Sequence, residues 1–256
     1  MQHDIYKKEY SIRQILSESW KQFKENANLI FLTILVVYYP INKLLFLVEE
    51  WSTGMSEIQE FSFYMKIGFI LEFFIGIIAT MAIAYLVKQS IDGKKVELKD
   101  IFKKAFSRWP AAIGTSLLML IALIGLTFLF IVPGIIYSFY WYFLIFVVVL
   151  QNKSGKVALN YSKSIVRGRW WKVVGYLLVF SLLALLIIGL MLFLDSALYT
   201  LVPNSFYGST FELVFETTMD FVFSYFTVVG TVFFINFDST KSVDLTDNEE
   251  DSATVI

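Results

Sequence analysis

Cysteine is absent from the 256 residues, and histidine occurs once, as His3. The first absence excludes disulfides, thiolate nucleophiles and thiolate-ligated metals, and it says nothing about redox compartment. The second leaves one imidazole, in a polar N-terminal stretch without an acid or metal partner close in sequence. No HExxH, GxSxG, P-loop or glycine-rich dinucleotide fingerprint occurs either. The expectation is a chain with no catalytic residue, no metal and no cofactor. An intramembrane aspartyl pair of Asp195 and Asp220 is the one formal alternative, and both residues sit near span ends in unrelated contexts. Charge is scarce as well: 17% of residues are Asp, Glu, Lys or Arg, against 57% hydrophobic and 18% aromatic. With a mean hydropathy of +0.66, this is the composition of an integral membrane protein. The opening residues MQHDIYKKEYSIRQ lack the apolar core and small-residue cleavage site of a secretory signal, so the spans themselves are expected to direct insertion.

Long apolar runs fill most of the rest. About 20 apolar residues cross roughly 30 Å of hydrocarbon, and six stretches qualify: 29–48, 64–87, 110–131, 134–150, 173–194 and 213–235. Residues 110–150 carry no charge and are too long for one crossing. Pro133 and Gly134 supply the expected break, which makes a tight hairpin of spans three and four. The sixth span is the least regular, because Glu216 and Asp220 lie in its first half. The fold class expected is therefore an all-α membrane protein of about six transmembrane helices.

The basic residues set an orientation. Three segments, the N-terminal one, 88–108 and 153–172, hold 18 of the 21 lysines and arginines, while the alternate loops are acidic or bare. Lys and Arg accumulate in short cytoplasmic segments, so both termini are expected in the cytoplasm, with the chain in the cytoplasmic membrane. The end of the chain, 238–256, is polar and acidic with a single lysine, and is expected to be a disordered cytoplasmic tail.

Each basic segment is also amphipathic. In 11–25, Ile12, Ile15, Leu16, Trp20 and Phe23 fall on one helical face, with Ser11 and Gln14 at capping-box spacing. In 88–108 and just beyond, Leu98, Ile101, Phe102, Ala105, Phe106 and Trp109 repeat those offsets, with Ala105 facing Ser19. The third copy is looser, with Lys163 and Arg167 at positions that are apolar in the other two. Two readings stand: three repeats of an interfacial helix plus a hairpin, or unrelated basic helices at the membrane surface.

The run 131–175, with Pro133 and Gly134 opening a span, Ala158, Leu159 and Ser162 in a short Ala-Leu-x-x-Ser stretch, and the block Gly168, Arg169, Trp170 and Trp171, resembles the membrane domain associated with glycerophosphoryl diester phosphodiesterases. It is also similar to stand-alone bacterial membrane proteins of poorly defined function. The segment WPAAIGTSLL at 109–118 fits the preceding part of such a domain. In some relatives a separate barrel performs the phosphodiester chemistry with His and Glu clusters, and this chain has no room and no residues for one. The resemblance implies a membrane module without the hydrolase, and it transfers no catalytic residue.

Two sets of residues are candidates for function. Ionisable side chains in hydrocarbon are costly and face a bundle interior or a wet cavity. Glu72 lies in a four-residue stripe with Gly68, Gly76, Thr80 and Ala84, and Glu212, Glu216, Asp220 and Ser224 repeat that spacing in the sixth span. Counted along the helices at about 1.5 Å per residue, Lys43 shares their depth. Lys43, Glu72, Glu216 and Asp220 thus form an expected polar cluster, read either as a pocket for a cation, proton or head group, or as a structural Lys43–Glu72 ion pair. The second set, Arg108, Trp109, Arg167, Arg169, Trp170, Trp171 and Lys172, reads as contacts to lipid head groups. Anionic lipid is the expected partner, with another membrane protein or a membrane-active peptide behind it. Nucleic acid is not expected, since the basic segments are separated and carry acids such as Glu97 and Asp100. The function expected is a non-enzymatic accessory of scaffold, stress or immunity type; the alternative is a small transporter or export factor.

Overall fold

The computed structural model describes residues 4–201 and 209–253, with side chains for 5–197, 211 and 213–241. It is an all-α membrane protein: among the described residues, six helical stretches are long and apolar enough to cross a bilayer. They are α2 (Ala27–Ser52), a composite of α3 (Glu57–Leu71), a π-helical turn (Glu72–Gly76) and α4 (Ile77–Ile91), then α5 (Leu98–Leu129), the broken pair α6 (Ile131–Tyr140) and α7 (Leu144–Leu150), α9 (Trp170–Leu201) and α10 (Ser209–Ala253). Two shorter helices, α1 (Ile12–Glu25) and α8 (Gly155–Val166), lie outside these spans.

Helix α1 begins at the capping box expected from sequence. The Gln14 N–H donates to Ser11 Oγ at 3.4 Å and Gln14 Oε1 accepts the Ser11 N–H at 3.0 Å. Its buried residues are Ile15, Ser19, Gln22 and Phe23, while Trp20 is 51% exposed. The inward face is therefore turned slightly from the apolar stripe, because Ser19 and Gln22 sit between its members. Gln22 is held by its Nε2 bond to Glu18 at 2.9 Å.

Two breaks fall elsewhere than the prolines suggest. Helix α5 runs unbroken through Pro110, so 98–109 is the first third of a span-length helix. The α5–α6 turn is made at extended Phe130, three residues before Pro133. Pro133 then lies in the first turn of α6, where a missing N–H costs no helical bond. Gly134 lets α6 approach α5 closely, since a Cβ there would collide with the Thr127 hydroxyl. The fourth span is instead interrupted at residues 141–143, which contain neither glycine nor proline. A polar side chain accommodates that interruption, Ser162 Oγ of α8 donating to the Tyr140 carbonyl at 2.8 Å, while Arg108 Nε of α5 satisfies the Val148 carbonyl in the last turn of α7 at 3.1 Å.

The core gathers around α10. Phe233 is fully buried among Phe143, Tyr176, Phe180 and Phe237, with ring centroids 5.0, 5.4, 5.8 and 4.5 Å away. Gly230, one turn earlier, admits the ring of Phe146, which an added Cβ would meet at 2.9 Å. The three basic segments share one end of the bundle, hereafter the basic end, and the N-terminal residues strap it together. Asn236 accepts the Tyr10 N–H at 2.8 Å and donates to the Ile5 and Lys8 carbonyls, each at 2.8 Å. Tyr176 donates to the Tyr10 carbonyl at 2.9 Å, and Glu9 pairs with Lys172 at 2.7 Å. Tyr6 donates to Asp92, which also takes Lys88 at 2.6 Å. Burial raises the Tyr6 phenol, and the adjoining Asp92 carboxylate raises it further. At Asp92 burial works upward, but hydrogen bonds from Lys88 and Tyr6 and the charge of Lys88 outweigh it and hold the carboxyl below its usual range.

The stretch expected to open a disordered tail starts as part of α10. Asp238 accepts from Gln151 Nε2 at 2.6 Å and from the Tyr161 hydroxyl at 2.8 Å, and Thr240 accepts from Arg169 at 2.9 Å. Side chains beyond Lys241 lie outside the described residues, as does that of Glu212.

Candidate functional site

Positions four apart share a helical face, and this brings α2 and α10 together. Tyr38 and Asn42 face α10, while Asp220 and Ser224 face back. Asn42 Nδ2 donates to Asp220 Oδ2 at 2.7 Å and lies 3.4 Å from Thr217 Oγ1. The Tyr38 hydroxyl donates to Glu72 Oε1 at 2.9 Å. The result is a cavity of about 200 Å³ between α2, the π turn, α4 and α10. Glu72 stands exposed at its edge and Asp220 lies half-buried within. Tyr38, Thr80, Ser224 and Thr227 contribute hydroxyls to its wall, and Ile34, Ala79 and Ile83 contribute apolar surface.

The π turn positions Glu72. Such a turn holds one residue more than the α-helical count and is frequent at functional sites. Here the carboxyl group of Glu72 folds back over Gly76, where a Cβ would strike it. The turn is also tied from outside, because Trp109 Nε1 of α5 donates to the Phe74 carbonyl at 2.6 Å. A carbonyl in a distorted turn needs a donor away from water, and the indole supplies it.

Of the four residues expected to cluster, the structure unites two. Glu72 and Asp220 line one cavity. Glu216 lines a neighbouring cleft of about 40 Å³ with Asn42, Glu49 and Tyr64. Lys43 is exposed, with Nζ 5.0 Å from the Phe46 ring centroid, and among the described residues it forms no ion pair with Glu72 or Asp220. The mismatch lies in direction around α2. One residue is about 100° of helix, so with Asn42 facing α10, Lys43 points away. Tyr38 and Asn42, the actual partners of the carboxylates, carry no charge and gave no signal in a search for charges. Their four-residue spacing on the first span was the available clue.

The arginines expected to meet head groups are largely turned inward. Arg169 donates to the Phe237 carbonyl at 2.7 Å, the Ile165 carbonyl at 3.0 Å and Thr240 at 2.9 Å, and lies 4.5 Å from the Phe237 ring centroid. Arg108 donates to the Val148 and Lys153 carbonyls, both at 3.1 Å. Trp170 Nε1 donates to the Ile136 carbonyl at 3.3 Å, and Lys172 is paired with Glu9. Arg167 and Trp171 face outward, Trp171 at 80% exposure.

Chemically, the cavity offers two carboxylates and several hydroxyls, with no lysine or arginine in its wall. Such a set suits a cationic group, because carboxylates and hydroxyl oxygens accept what a cation presents. Among the described residues, no group of three or more His, Asp or Glu is placed to hold a metal ion.

The fold and the cavity together define a multi-pass helical membrane protein with an acidic intramembrane cleft. The chain matches no family model, no curated protein and no solved structure.

Proposed function

We propose that the protein is a non-enzymatic accessory of a bacterial cytoplasmic membrane, of scaffold, stress or immunity type, that acts by taking a cationic group of a partner into the acidic cavity. The observation that carries this reading is the pairing of Glu72 and Asp220 in one cavity whose wall contains no cation. Acids at membrane depth are functional by default unless a partner charge explains them, and Lys43, the natural structural partner, points elsewhere. A basic membrane-active peptide or the cationic segment of a membrane protein fits this chemistry. The excess of basic residues at the basic end supports an orientation with both termini in the cytoplasm. The likeness of 131–175 to the membrane domain of the phosphodiesterase type supports a module without hydrolase activity.

A second reading, a small transporter or export factor, draws on the same cavity and on the interrupted span at 141–143, since broken helices mark transport sites. One experiment separates the two. The full chain in nanodiscs is titrated with a basic amphipathic peptide while its thermal unfolding is followed, and the same protein in liposomes is assayed for peptide uptake. Stabilisation that Glu72→Gln with Asp220→Asn reduces by about tenfold in peptide affinity, without uptake, is the expected result. Uptake dependent on both acids would favour transport, and binding indifferent to both would sink the cavity assignment.

A further inference from the structure

Among the described residues, clefts at the basic end carry cations, and three of them differ in what surrounds them. The one beside Trp171 is lined by Arg169 and Lys172, which both reach Glu9, at 3.7 and 2.7 Å. The one beside Tyr85 is lined by Lys103 and Lys104 but also by Asp100, and Lys104 donates to Asn152 at 2.6 Å. The third, of about 350 Å³, lies where the α4–α5 turn meets the start of α2, and among the described residues no carboxylate lines it. Lys94 and Lys95 stand exposed at its rim, and among the described residues neither forms an ion pair.

The acids nearest in sequence, Asp92 and Glu97, stand outside the cleft. Asp92 is hydrogen-bonded to Lys88 and Tyr6 and meets Lys94 through charge alone. Asn26 Nδ2 is bound to the Gln22 carbonyl at 2.8 Å and to Ser90 Oγ at 3.0 Å, which clamps α2 to the end of α4 and fixes the rim. Below the rim the wall is apolar, formed by Leu29, Leu86 and Val96. The cleft also sits where two apolar stretches end, at Ala27 and Ile91, the level of the head groups when both cross a bilayer.

We propose that the cleft of Lys94 and Lys95 binds the phosphodiester of an anionic lipid, with the apolar wall receiving the glycerol and the first acyl methylenes. Paired cations above an apolar wall match a head group whose charge lies directly over hydrocarbon. A free phosphate shares the charge but gains nothing from Leu29, Leu86 and Val96. The proposal is independent of the Glu72–Asp220 cavity and places specific lipid recognition away from the tryptophan block.

The full chain in detergent is titrated with phosphatidylglycerol, phosphatidylcholine or inorganic phosphate, and bound lipid is counted by native mass spectrometry. Phosphatidylglycerol is expected to bind in preference to phosphatidylcholine, and Lys94→Gln with Lys95→Gln to weaken it on the order of thirtyfold, from about a tenfold factor per 1.4 kcal/mol and about 1 kcal/mol per lysine. The control, Lys99→Gln with Lys103→Gln, removes the same charge from the adjoining start of α5 and is expected to bind as the parent does. Equal weakening in the control would reduce the effect to net charge and overturn the site. So would unchanged binding in the Lys94 and Lys95 variant. Displacement of the lipid by excess inorganic phosphate would reassign the cleft to the free anion.

Discussion

Helices α9 and α10 follow one another in the chain and are both long enough to span a bilayer, yet they are packed in opposite ways. The most apolar window of α9 has a hydropathy of 3.1 and is 6% buried, whereas that of α10 has 1.6 and is 50% buried. In water the greasier helix would be the buried one. In a bilayer lipid is as apolar as leucine, so hydrophobicity does not choose the core; close packing and hydrogen bonding do. α10 has the means for both, with Gly230 admitting a ring, Phe233 at the centre of an aromatic cluster, and Asn236 holding the N-terminal strap. α9 joins through its first three turns, at Tyr176 and Phe180, and beyond them exposes Leu182, Leu185, Leu186 and Phe193.

The sharpest way to break this contrast is a pair of truncations. Phe233→Ala, which empties a fully buried site, is expected to cost about 3–5 kcal/mol, while Leu186→Ala, at a residue 71% exposed, is expected to change stability by no more than about 0.5 kcal/mol. Reversible unfolding of both variants in bicelles measures the difference, and similar losses would mean that α9 packs more tightly than its exposure indicates. Next in size is Asn236→Leu, which leaves the Tyr10 N–H and two carbonyls without their partner. A loss of about 3 kcal/mol is expected, and trypsin should then cut at Lys7 and Lys8 faster than in the parent. A smaller loss is expected from Ser11→Ala, which removes one cap of α1 at about 1 kcal/mol; a loss as large as that of Asn236→Leu would mean that α1 and the strap unfold as one unit.

Much of this architecture was legible from residue order. The six apolar runs and the capping box at Ser11 follow from patterns that act locally. What was not legible depended on direction around a helix and on partners distant in sequence. The interruption at 141–143 has no glycine or proline to announce it, and the carbonyl it frees at Tyr140 is met by Ser162 from elsewhere in the chain. Pro133 marked the right turn but the wrong residue, since proline is at ease within a first helical turn. In the candidate site, Glu72 and Asp220 stood out as charges in hydrocarbon, whereas Tyr38 and Asn42 needed the rotation of α2 to be known. Arg169 read as a lipid contact because two tryptophans follow it, and its three acceptors lie on α8 and α10.

The wide turn at Glu72–Gly76 divides one crossing into two halves with different allegiances. Nine residues of α4 are buried and none of α3 is. The wide turn absorbs the additional residue, so α3 and α4 keep nearly the relative facing of a regular helix one residue shorter. Loss of one residue anywhere in 73–75 would restore ordinary winding, and the roughly 100° of turn lost with the residue would be regained by the tighter winding, so the faces of α3 and α4 would keep their relation. What would be lost is the widened turn itself, where the Glu72 carboxyl folds over Gly76. Length at this point in the chain thus sets how the acid is presented at the cavity edge while the bundle on either side is spared.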